Sequence, residues 1–148
     1  MITDEYLVVA VVTACIVLFS AYVHYEGLRI ITDRLPSSAE ANNRRRVLLS
    51  ILLLLLLHVI QIWIFGLAYL WLLEHDGYGS LQGLSRATLI DSIYFSAMVY
   101  TTIGFGDLYP TGAIRLMAGM EGITGLTMIT WSASYTFVEM GKDWHNND

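Results

Sequence analysis

Thr101-Thr102-Ile103-Gly104-Phe105-Gly106-Asp107, followed by Leu108-Tyr109-Pro110, is the stretch that decides how this chain folds. Two glycines separated by one residue permit positive φ angles that side chains disfavour. Such a strand can turn successive carbonyl oxygens to the same side, which neither a helix nor a sheet does. Directly before it, Leu89 to Tyr100 is apolar and aromatic. At ~1.5 Å rise per residue it covers only about half a bilayer. A segment this short is expected to be a re-entrant helix, tolerated when buried in protein beside a water-filled path. Thr88-Leu89-Ile90-Asp91 reads as a capping box for its start, with Asp91 favourably placed for the helix dipole.

Working outward, three longer apolar runs surround this segment. Leu7 to Tyr25 contains no Asp, Glu, Lys or Arg. Val47 to Leu73 has Ser50, His58 and Gln61 as its main polar residues, and Ala113 to Val138 carries Arg115 and Glu121. Each supplies the roughly 20 residues that a spanning helix needs. The expected fold is an all-α integral membrane protein with three transmembrane helices, one re-entrant pore helix and the glycine loop. It divides into an N-terminal helix with a cytoplasmic basic loop (1–46), a pore unit (47–140) and a short tail (141–148).

Composition agrees. The 148 residues are 55% hydrophobic and 14% charged, against about a quarter charged in soluble domains. Disorder is excluded, and a single cysteine, Cys15, excludes a disulfide scaffold. The net charge of −5 excludes a generally basic nucleic-acid binder. Val12-Thr13-Ala14-Cys15 resembles a lipoprotein box, but its acidic N-terminal flank argues against processing, and a buried thiol in the lipid phase is expected. No catalytic, nucleotide or metal-cluster motif is present, so neither an enzyme nor a cofactor is expected.

Five of the eight basic residues (Arg29, Arg34, Arg44, Arg45, Arg46) fall between the first two runs. The positive-inside rule puts that segment in the cytoplasm, the N-terminus outside, the tail inside and the glycine loop on the outer face. Arg44, Arg45 and Arg46 could also meet anionic lipid headgroups, although orienting the chain suffices to explain them. A bacterial inner membrane is the expected location.

The run Thr101 to Asp107, after a half-length helix and between two spans, resembles the bacterial potassium channel family of the pore-only type, with signature T-[VI]-G-[YF]-G-D. The likeness covers about Val47 to Glu139 and leaves the first span outside. It implies a filter of Thr102, Ile103, Gly104, Phe105 and Gly106. The carbonyls of Thr102 to Phe105 and the Thr102 hydroxyl would replace the hydration shell of K⁺. It implies a homotetramer with cyclic symmetry, since one chain supplies one filter strand. Tyr94, Phe95, Thr101 and Asp107 become filter supports, with Tyr94 able to bond Asp107. Phe105 stands where tyrosine is commoner, and Met98 where some members keep a second carboxylate.

The resemblance also marks the last span. Arg115, Glu121 and Gly125 match an Arg–Glu–hinge spacing, with Gly122 as the alternative hinge. Close helix packing is the plainer reading for Gly112, Gly119 and Gly122. Glu121 is costly if it faces lipid, so a structural bond to the scaffold behind the filter is expected, with a proton-sensitive role as the sharper reading. His58 and Gln61 are candidates to join that network. Ile129 and Ala133 share a helical face and would line an inner cavity. Thr124, Thr127 and Thr130 would form a polar wall or bond between helices. The function expected is passive K⁺ conduction; a regulatory, non-conducting subunit and a weakly selective cation channel are the competing readings.

Overall fold

The computed structural model of the chain describes residues 2–35 and 43–144, with side chains over 4–35 and 45–141. Its elements are α1 (Ile2–Arg34), α2 (Asn43–Leu73), β1 (Ser80–Gln82), α3 (Leu89–Tyr100), β2 (Tyr109–Thr111) and α4 (Ile114–Trp144). α1 and α2 are each long and apolar enough to cross a membrane. α4 matches α2 in length at 31 residues, but its glycines, serines and threonines leave it less apolar.

Each long helix buries one stripe at helical spacing. On α1 the stripe is Val9, Thr13, Ser20, His24, Leu28 and Ile31; on α2 it is Ser50, Leu54, Leu57, Gln61, Phe65, Tyr69 and Leu72. On α4 it runs through Ile114, Met117, Glu121, Thr124, Met128 and Ser132. α3 lies against both α2 and α4, and α1 packs along α2 and α4. The main core gathers Phe65, Tyr69, Phe95, Tyr100, Ile114 and Met117, with Val9 reaching in from α1. Outward-facing leucines, such as Leu18 and Leu55, suit a lipid surround rather than water.

Three expectations change. The chain is not purely helical: β1 and β2 pair antiparallel, with Ser80 opposite Thr111 and Gln82 opposite Tyr109. Glycine makes the ribbon possible. Gly79 and Gly112 take φ of +129° and +71°, and a Cβ on Gly112 would stand 2.7 Å from the Gly79 Cα. Second, the basic residues lie mostly on helix. α1 continues to Arg34, with Arg29 between Glu26 (3.5 Å) and Asp33 (3.8 Å), and α2 already includes Arg44 to Arg46. Third, Cys15 is exposed on the outer side of α1, because it lies off the buried stripe.

The assignment of Arg44 to Arg46 to lipid headgroups also needs correcting at Arg46. Its guanidinium pairs with Glu139 near the end of α4 at 3.0 Å, with side chains 14% and 5% exposed. Paired with a carboxylate inside the protein, it is withdrawn from the surface. Arg45 is exposed, and the Arg44 side chain lies outside the described residues.

Candidate functional site

The site is built on α3. Thr88 caps its start: its hydroxyl accepts from the Asp91 N–H at 3.3 Å, and its own N–H donates to the Asp91 carboxylate at 2.9 Å. The Thr88 hydroxyl also lies 2.7 Å from that carboxylate. Bonds from the Thr88 side chain and then its backbone hold the Asp91 pKa below the usual aspartate range. At the other end, Thr101 closes the last turn, its N–H and hydroxyl both reaching the Ala97 carbonyl at 3.1 Å and 2.6 Å.

The glycine loop then folds back on the helix end. Thr102 N–H donates to the Val99 carbonyl at 2.9 Å and Gly104 N–H to that of Met98 at 3.2 Å. Thr102, Gly104 and Gly106 take φ of +59°, +53° and +81°, while Ile103 and Phe105 do not share the left-handed region. A left-handed residue at every second position turns alternate peptide planes over. The sequence points to the glycines but not to Thr102, which accepts a conformation costing roughly 1–3 kcal/mol for a side-chain residue. The loop is bare in the single chain: Ile103 is 56% and Phe105 71% exposed. A Cβ at Gly104 or Gly106 would meet nothing within 4 Å. Tyr94 donates its hydroxyl to Asp107 at 2.8 Å, while Phe95 is buried, edge-on to Tyr69 at 4.9 Å between ring centres.

Two buried polar clusters stand behind α3. In the first, the Glu121 carboxyl accepts from the Tyr69 hydroxyl at 2.7 Å and from the Ser96 hydroxyl at 2.5 Å, joining α2, α3 and α4. In the second, the Tyr100 hydroxyl donates to Gln61 Oε1, and His58 Nδ1 lies 2.9 Å from that same hydroxyl. Gln61 Nε2 donates to the Ser20 carbonyl at 3.2 Å and lies 3.2 Å from His24 Nδ1; His24 Nε2 lies 3.4 Å from the Ser132 hydroxyl. Trp131 covers His24, ring centres 5.3 Å apart. The expectation of one network containing Glu121, His58 and Gln61 is therefore corrected: Glu121 belongs to one cluster, His58 and Gln61 to the other. Tyr69, Ser96, His24, Tyr100 and Ser132 do not stand out as site residues in the sequence. The signal that could find them is polar residues recurring on the buried stripes of all four helices.

On α4 the glycines exchange roles. A Cβ on Gly125 would collide with the Tyr100 carbonyl oxygen and stand 2.9 Å from the Tyr100 Cα, so this glycine lets α4 touch the end of α3. Gly119 has open space, and Gly122 only an ordinary contact with the Val99 carbonyl oxygen at 3.7 Å. Close packing, expected at Gly119 and Gly122, is found at Gly125 instead, because the α3 terminus arrives there. Thr124, Thr127 and Thr130 each bond a carbonyl of their own helix one turn back rather than another helix. Ile129 and Ala133 line a groove of about 450 Å³ shared with Ile51, Leu54 and His58 of α2. Arg115 is exposed.

The family profile described as "Ion channel" matches residues 53–142, more than half of the chain. The chain belongs to that ion channel family, and it is a membrane protein. It is also 37% identical over 80 residues to YdjJ of Bacillus subtilis (strain 168), an uncharacterized membrane protein; the match covers 52% of this chain and 24% of that one. The chain thus spans about a quarter of that relative's length. No solved structure matches it.

Proposed function

We propose that four copies of this chain surround an axis as a passive, potassium-selective channel. The observation that supports this best is the left-handed φ at Thr102, Gly104 and Gly106 in a bare loop directly beyond a capped helix. One chain offers one such strand, and stacked carbonyl cages need four. In the assembly, the carbonyls of Thr102, Ile103, Gly104 and Phe105 and the Thr102 hydroxyl coordinate the permeant K⁺. Gly106 completes the turn, and Tyr94, Phe95, Thr101 and Asp107 hold the strand from behind.

In this reading α1, α2 and α4 cross the membrane and α3 re-enters from the outer face, its C-terminal dipole favouring a cation on the axis. The N-terminus lies outside and the C-terminus in the cytoplasm of a bacterial inner membrane. Residues 1–46 are an added helix, 47–140 the pore unit and 141–148 the tail. No cofactor takes part. Gly125 or Gly122 gives α4 its bend, and Ile129 and Ala133 border the inner cavity.

Purified protein in liposomes should carry K⁺ well above Na⁺ and be blocked by Ba²⁺, and its mass in detergent should be that of four copies. Gly104→Ala should abolish conduction or selectivity while the chain still inserts, because a side chain at positive φ costs about 1–2 kcal/mol in each of four strands. Equal K⁺ and Na⁺ flux points instead to a weakly selective cation channel. No flux under any pH or lipid tried points to a regulatory subunit.

A further inference from the structure

The cluster at the end of α3 has only one consistent assignment of protons. The Ser20 carbonyl can only accept, so the Gln61 amide nitrogen is the atom facing it, and Gln61 Oε1 faces Tyr100. The second amide hydrogen then points at His24 Nδ1, which must present a lone pair; the His24 proton sits on Nε2, toward Ser132. Tyr100 has a single hydroxyl proton and gives it to Gln61. The contact from His58 must therefore be an Nδ1–H donated to the Tyr100 oxygen. His58 carries a proton on Nδ1 and His24 carries its proton on Nε2, the opposite nitrogen. The bonds run in one direction, His58 to Tyr100 to Gln61 to His24 to Ser132, across all four helices. Tyr100, Gln61 and His24 are fully buried.

Tyr100 is also the residue that connects this chain of bonds to the loop. It ends α3, directly before Thr101 and Thr102, and its main chain rests on α4 at Gly125. Its hydroxyl and its backbone are therefore fixed separately, one by α2, whose Gln61 is held in turn by α1, the other by α4.

We propose that α1, which lies outside the residues matched by the ion channel family, is a positioning element for the conducting loop. His24, acting through Gln61, sets the place of Tyr100 and so the inner end of the strand at Thr102. This rests on the channel reading given above. The titratable groups facing the cluster are His24 on α1, His58 on α2, Tyr100 on α3 and, from the neighbouring cluster on α4, Glu121.

The experiment compares K⁺ and Na⁺ flux in liposomes for wild type, Tyr100→Phe, His24→Leu, Gln61→Leu and Gln61→Glu, with oligomer mass in detergent as the assembly control. Tyr100→Phe removes one oxygen atom and His24→Leu a remote imidazole. Each should keep the wild-type mass and lower the K⁺ to Na⁺ ratio about tenfold, the scale of one buried hydrogen bond. Gln61→Leu should do the same, and so should Gln61→Glu, whose second carboxylate oxygen would face the Ser20 carbonyl, itself an acceptor, in place of the amide donor. Histidine ¹⁵N spectra of the wild-type protein supply a second reading that needs no variant to fold. Of the four histidines, His58 should show an Nδ1–H ring and His24 an Nε2–H ring, and Tyr100→Phe should shift the His58 signals. Unchanged ion ratios in Tyr100→Phe and His24→Leu, or a single shared tautomer, overturn the proposal. Wild-type liposomes that pass neither ion overturn the channel reading, and this proposal with it.

Discussion

Behind the middle of α3, one carboxyl group gathers two hydroxyls; behind its end, an amide, two imidazoles and two hydroxyls bond with no carboxyl among them. The first cluster, Tyr69–Ser96–Glu121, lies wholly inside the residues matched by the ion channel family, 53–142. The second reaches beyond them to His24 on α1. A carboxyl is a strong acceptor whose loss strands its donors, so the first arrangement is a strut that sets stability. Neutral groups in series bond more weakly but fix direction, since each proton position dictates the next. The contrast teaches that one short helix can be held firmly at its middle and adjusted at its end.

The largest test of that contrast is Glu121→Leu. It leaves the Tyr69 hydroxyl buried without its acceptor and should lower stability in detergent by about 3 kcal/mol, read from thermal melting of the oligomer. His24→Leu should cost only about 1 kcal/mol in the same measurement, because the groups it abandons, an amide hydrogen of Gln61 and the Ser132 hydroxyl, are neutral. A reversal of that order breaks the comparison. Next comes Gly125→Ala, which drives a methyl group into the backbone of Tyr100 and should cost about 1–3 kcal/mol by overpacking, whereas Gly119→Ala at an open position should be nearly silent.

The smallest effect concerns the start of α3. The Asp91 pKa is lower in the folded chain than in the unfolded one, so its contribution is complete above about pH 4. That contribution is lost as pH falls through the lower, folded-state value. Asp91→Asn should flatten the acid limb of a melting curve taken between about pH 5 and pH 2, with no change at neutral pH beyond the loss of the cap. An acid limb identical to wild type would detach Asp91 from the stability of the helix.

Much of the architecture is legible in the amino-acid order alone. The half-length run ending at Tyr100, the Thr88–Asp91 cap and the two loop glycines are local signals, each complete within a few residues. Glu121 stands out by its cost in an apolar helix, but its partners do not: Ser96 and Tyr69 are ordinary residues until α2, α3 and α4 are brought together. His24 is harder still to single out, being one polar residue in a long apolar run, on a helix that the resemblance leaves out. Thr102 reads in sequence as a source of hydroxyl oxygen and not as a left-handed residue, since a threonine adopts that φ only when neighbours on both sides impose it. The packing role of Gly125 depends on where α3 ends in space, which no spacing along α4 reveals.

The ribbon between β1 and β2 has a mechanical consequence. Gln82 and Tyr109 face each other across it, so everything between them, α3 and the glycine loop included, is a closed ring of chain with both ends pinned at one point. The opposite end of the ribbon, beyond Ser80 and Thr111, abuts the first turn of α4, where the Ile114 N–H donates to the Tyr78 carbonyl at 3.0 Å. A displacement of the upper part of α4 therefore carries the two ends of the ring together and leaves its internal shape intact. A push on residues within the ring, at Tyr100, at Tyr94 or at Ser96 through its bond to Glu121, can deform the loop itself.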